Sequence, residues 1–130
     1  PTIEIFRALI HPVGEEVEKQ ISNKSGIIEI ISRSFTEPAN FLEKIHKRFF
    51  GELSQIFMNE LKNSHPTAKE EDLYWNYHFA VSSMLGTLAQ HRRINDFSFG
   101  RCNENAIQDM IERLIIFVSN GFDAGIQNKK

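Results

Sequence analysis

Cysteine is almost missing from this chain. Cys102 is alone among 130 residues, which rules out an internal disulfide framework and fits a reducing compartment. No positively charged segment followed by an apolar one opens the sequence, so a cytoplasmic location is expected. An excess of positive charge is missing too. The formal net charge is −2, without the basic field that drives nucleic-acid binding. No apolar run is long enough and free enough of polar groups to span a bilayer, because the longest uncharged one contains Asn76, His78, Ser82, Ser83 and Gln90.

Catalytic and metal signatures are absent as well. The five histidines (His11, His46, His65, His78 and His91) form no HExxH and no i, i+4 pair with one another. There is no GxGxxG, Walker or GxSxG pattern, and Cys102 has no activating neighbours. A non-enzyme with no metal and no cofactor is expected.

What is abundant is phenylalanine, eleven residues, which calls for either a packed core or an apolar cavity. The chain is organised around Glu70 to Arg93. Acids stand at its front, Arg92 and Arg93 at its back, and Leu73 to Gln90 holds no charge, so the spacing predicts a helix covered on nearly every side. Thr67 and Glu70 have the spacing of a capping box after Pro66. Two arcs divide this helix by size. Leu73, Tyr74, Tyr77, His78, Val81, Met84, Leu85 and Leu88 form a bulky one, expected to face the chain's own helices. Asn76, Ala80, Ser83, Thr87 and Gln90 form a small one, expected to let another helix approach.

The remaining segments also read as helices. Ile3, Phe6, Leu9 and Ile10 mark a first one that Pro12 bends or ends, with Gly14 adding to the break. Val13, Val17 and Ile21 mark a further piece. In Gly26 to Phe35 the isoleucines favour a strand by propensity, whereas Ile27, Ile28, Ile31 and Phe35 share a helical face, and helix is the reading taken. Ala39 to Asn63 carries the stripe Leu42, Ile45, Phe49, Leu53 and Ile56, widened by Phe41 and Phe57. A loop follows Arg93, and its Phe97 and Phe99 are expected to fold back onto the body. Asn103 or Asn105 is then expected to cap a last helix that Gly121 or Gly125 ends. Ile107, Met110, Ile111, Leu114, Ile115, Phe117, Val118 and Phe122 cover more than half of that helix, again too wide an arc for one neighbour.

In the order of its segments the sequence resembles the C-terminal regulatory region of TetR-type transcriptional repressors. GIIEIISRSFTEPANF looks like that family's sixth helix and its acidic-Pro exit, EEDLYWNYHFAVSSMLGTLAQ like the opening of its eighth, and NAIQDMIERLIIFVSNGFDAG like its ninth. The resemblance implies one all-α domain over residues 1–130, five to six helices around an effector pocket, with the last two helices pairing with their copies in a homodimeric four-helix bundle. The family's helix-turn-helix has no counterpart in this sequence, so DNA would be reached only through a domain not in this chain. The expected effector is small, mostly apolar or aromatic, with one polar handle.

Wall candidates for its pocket are Phe6, Ile10, Phe35, Phe49, Tyr74, His78 and Leu85, all large side chains on core-facing arcs. Candidates for the dimer interface are Asn76, Ala80, Ser83, Thr87, Met110, Leu114 and Val118. The competing reading is a helical protein–protein interaction module without a ligand cavity.

Overall fold

The computed structural model describes residues 1–23, 51–103 and 105–126, and these form five helices with no strand among them. They are α1 (Thr2–Asn23), α2 (Glu52–Ser64), α3 (Glu70–Ala89), α4 (Arg93–Phe97) and α5 (Ile107–Ile126). The readings for Gly26–Phe35 and for the first half of Ala39–Asn63 lie outside the described residues. The all-α expectation holds for the described ones.

The central element is α5, which packs against α1 on one side and α3 on the other, while α2 closes against both α1 and α3. Its buried residues Ile111, Ile115, Val118, Phe122 and Ile126 recur every three to four positions, the period that lines one side of a helix. On α1 the matching face is Phe6, Leu9, Ile10 and Val17. The two helices run antiparallel, as their cross-contacts show: the Phe6 ring meets Phe122 edge-on at 5.3 Å, and Gln108 Nε2 donates to Glu18 Oε1 over 2.7 Å.

Pro12 and Gly14 do not break α1. The helix continues through both to Asn23, correcting the expectation that it ends there. The packing gives the reason. Pro12 lies on the exposed face, away from the packed side, while the buried face is held along α5 on both sides of it. Gly14 is buried against α5: a Cβ there would lie 2.4 Å from Ile111 Cδ1. Its absent side chain serves proximity, not a turn.

Other local expectations are corrected too. Thr67 does not cap α3, whose N-cap is Lys69 with no side-chain cap bond. The amide of Ala68 instead donates to the His65 carbonyl at 3.1 Å, closing a turn that leaves Thr67 outside the helix. Glu70, Glu71 and Asp72 then occupy the first turn, where the helix dipole favours negative charge. On α2 the inward residues are Met58 and Leu61, whereas Leu53 and Ile56 are 36% and 59% exposed, so the end of the expected stripe is rotated away from the core. Gly121 and Gly125 lie inside α5 because Phe122 and Ile126 still belong to its buried face. Asn103 Oδ1 accepts from the Asn105 amide at 2.8 Å, a local turn ahead of the helix, which begins at Ile107, so the bond caps no helical amide.

The segment after α3 contains the short helix α4, not a plain loop. Its exit is tight: the Ser98 amide donates to Ile94 O at 2.9 Å and the Gly100 amide to Asn95 O at 2.8 Å. Phe99 takes φ 56° and Gly100 φ 80°, a left-handed pair that only the glycine adopts without steric cost. Phe97 and Phe99 are 82% and 87% exposed, so neither folds back onto the body.

Candidate functional site

Two concave surfaces flank α3. The first lies between α2 and α3, encloses about 480 Å³ and is lined by Ser54, Met58, Lys62, Tyr74, Tyr77 and His78 among others. Tyr77 is buried and donates its hydroxyl to Ser54 Oγ at 3.2 Å. Burial holds its phenol above the ordinary value, and the bond to Ser54 offsets this only in part. Lys62 Nζ stands 5.2 Å from the centre of the Tyr74 ring, 3.4 Å from its hydroxyl and 3.9 Å from Glu70, so a cation closes one edge of the groove. Beyond it the Trp75 ring meets His78 at 6.4 Å and Phe79 at 5.8 Å. Trp75 and Phe79 are both more than half exposed.

The second surface is a groove of about 940 Å³ along the outer side of α3 and α5 that extends under α4. Small residues of α3, namely Ser82, Ser83, Gly86 and Thr87, form one wall, and Met110, Arg113, Leu114 and Phe117 of α5 form the other. Arg93, Ile94 and Phe97 of α4, with Arg101 and Cys102 after it, close the far end.

The sequence-derived candidates divide among these places and the core. Tyr74 and His78 come together in the α2–α3 groove, but they stand exposed and not against the chain's own helices as expected for the bulky arc. Phe6 and Ile10 are wholly buried between α1 and the rest of the core, and Leu85 is buried on α3, so these three line neither groove. Phe35 and Phe49 lie outside the described residues. Of the small arc and its α5 counterparts, Ser83, Thr87 and Met110 line the second groove in half-buried positions. Leu114 lines it too, though only 7% exposed, while Ala80 and Val118, 5% and 4% exposed, are already used within one protomer. Asn76 is half-buried and donates to the Asp72 carbonyl at 2.8 Å.

Sequence reasoning did not single out Ser54, Met58 and Lys62, nor Ser82 and Gly86, whose position on the outer wall follows only from the rotation of α3. Among the described residues no cluster of three or more His, Cys, Asp or Glu side chains is placed to hold a metal, and no helix is long and apolar enough to cross a membrane.

A family model described as the Tetracyclin repressor-like, C-terminal domain matches residues 7–121. The chain belongs to this family. The family is one of regulatory domains, not of enzymes, and its all-helical C-terminal fold is the one found here. No curated protein and no solved structure matches the chain.

Proposed function

We propose that this chain is the dimerising and effector-sensing part of a cytoplasmic transcriptional repressor, with DNA bound by a domain outside it. The observation that carries the reading is the outer face of α3 and α5. There Ser82, Ser83 and Gly86 are small enough for close helix approach, and beside them Phe117 and Ile116 are 70% and 48% exposed. A second copy placed on this face converts two helices into four and removes both side chains from water.

The effector is a small apolar or aromatic molecule in the α2–α3 groove, with Tyr74 and His78 as wall and polar handle and Lys62 at the edge. It acts by differential affinity: whichever arrangement of the two protomers holds the groove in its binding shape is the one the effector populates.

A second reading, an interaction module without a ligand cavity, draws support from Phe6, Ile10 and Leu85, which fill the core instead of lining a space. Sedimentation and thermal shift separate the two. A dimer at micromolar concentration whose melting temperature rises with the concentration of small aromatic compounds supports the repressor reading. A stable monomer would sink it.

A further inference from the structure

The α4 end of the long groove differs in chemistry from its middle. Between Phe117 and Gly86 the walls are small or apolar, but past Gln90 they become His91, Arg93 and Arg101, with Ile94, Phe97 and Met110 beside them. Arg113 is engaged by Asp109 at 2.8 Å. Arg93 has no acidic partner among the described residues, and Arg101 Nη1 reaches only the carbonyl of Ser98, at 3.2 Å. Among the described residues that line this end, Arg93 and Arg101 are left in excess once Asp109 is paired with Arg113, with Asp96 of α4 outside the lining, and the floor is apolar.

His91 adds an independent observation. The residue is 8% exposed, it lines this groove, and its buried Nδ1 has no hydrogen-bond partner. Buried imidazole nitrogens are normally paired, so this one is a polar group that the fold itself leaves unsatisfied beside the groove. The backbone there is held in an uncommon shape: Phe99 at φ 56° and Gly100 at φ 80° turn the chain so that Arg101 and Cys102 come back to the groove. Non-glycine residues in that region cluster where structure serves binding.

We infer that the α4 end of this groove binds an amphipathic carboxylate: a flat apolar body lies between Phe97 and Met110, and its anionic head meets Arg93 and Arg101. Planar guanidinium groups match a carboxylate in geometry and charge. This site is separate from the α2–α3 groove, and it lies past the stretch of Ser82, Ser83 and Gly86 given above to the second copy. A class of ligand other than the one proposed for the α2–α3 groove therefore has its own place on the same chain.

The test uses 2-naphthoate and its neutral counterpart 2-naphthalenemethanol on the full chain. Calorimetry is expected to show saturable binding of the acid, tighter than the alcohol by about tenfold, as charge-assisted bonds imply. Cys102 is the chain's single cysteine and lines the site, so bound naphthoate is expected to slow its alkylation by N-ethylmaleimide, which locates the ligand. In the double variant Arg93→Gln, Arg101→Gln the preference for the acid is expected to vanish, with helicity unchanged because both side chains are exposed. Equal affinity for acid and alcohol, unaltered alkylation of Cys102, or undiminished naphthoate binding in the double variant would each overturn the proposal. Sedimentation of the same samples reports the dimer independently: loss of the dimer with naphthoate binding kept would reject the dimer reading and leave this site standing.

Discussion

Thr2 Oγ1 donates to Asp123 Oδ1 at 2.7 Å across 121 residues of sequence and lies 2.8 Å from His65 Nε2. One buried hydroxyl thus ties the start of α1 to the last turns of α5 and to the end of α2. Its geometry sets the roles: the hydroxyl hydrogen goes to the carboxylate, so the His65 Nε2–H donates to the hydroxyl oxygen. Removing the hydroxyl leaves both partners short of a bond. Thr2→Val is expected to cost about 1–2 kcal/mol, the lower part of the usual range because water reaches Asp123, and Thr2→Ser should recover most of it. Urea denaturation measures both.

The contact of Gly14 with Ile111 gives a second expectation. Gly to Ala inside a helix normally stabilises by about 1 kcal/mol. Here the new Cβ would lie 2.4 Å from Ile111 Cδ1 and 2.6 Å from its Cγ1, and Ile111 is wholly buried. Overpacking of this kind costs about 1–3 kcal/mol, so Gly14→Ala should come out destabilising. Because both residues share one space, Gly14→Ala combined with Ile111→Ala should cost less than the sum of the two single changes. Additive behaviour in thermal denaturation would mean that α1 and α5 are not this close.

The same contact shows why part of this fold was legible in the sequence and part was not. The extent of α3 follows from a long charge-free stretch between acids and arginines, a feature that any all-helical packing preserves. Pro12 and Gly14 read as a break because local rules see a missing amide and a flexible residue. Only the position of Ile111, remote in sequence, shows that the glycine is there for space. The candidate sites were harder for a related reason. Phe6 and Tyr74 are both large and both lie on a helical stripe, and nothing in composition separates a side chain that fills a core from one that walls a groove. The rotation of α3 decides it, turning Ala80 inward and Tyr74 and His78 outward. Arg93 and Arg101 look like ordinary solvated charges in the sequence, and only the short helix between them brings them to one place.

The proposed dimer face leads to a third expectation. Ser83 is half-buried on the outer wall of α3, where a long charged side chain extends into water in one protomer but has no room between two. Ser83→Arg should therefore leave protomer stability within about 0.5 kcal/mol while weakening self-association by about thirtyfold or more, the effect of a central interface residue. Phe117→Ser should act in the same direction through lost apolar contact. Sedimentation equilibrium decides it: a dimer unaffected by both changes would move the interface elsewhere.

Tyr77 supplies an expectation in pH. Burial raises the folded-state pKa of its phenol, so the neutral form is favoured by folding. In the unfolded chain the proton leaves near the ordinary value of about 10, and above it the unfolded state binds fewer protons than the folded one. The contribution is thus whole below about pH 10 and is lost as the pH rises through the folded value. Tyr77→Phe keeps the ring, removes the ionisable group and leaves Ser54 Oγ without this donor, so it should cost about 1 kcal/mol at neutral pH. Its decisive effect lies in the slope. Other groups titrate in the same range in both proteins, so the difference in stability between wild type and variant isolates this one hydroxyl, and it should shrink between about pH 10 and pH 11. Urea midpoints at pH 9, 10 and 11 measure that difference, and a constant gap would mean that the hydroxyl is open to water in the folded protein.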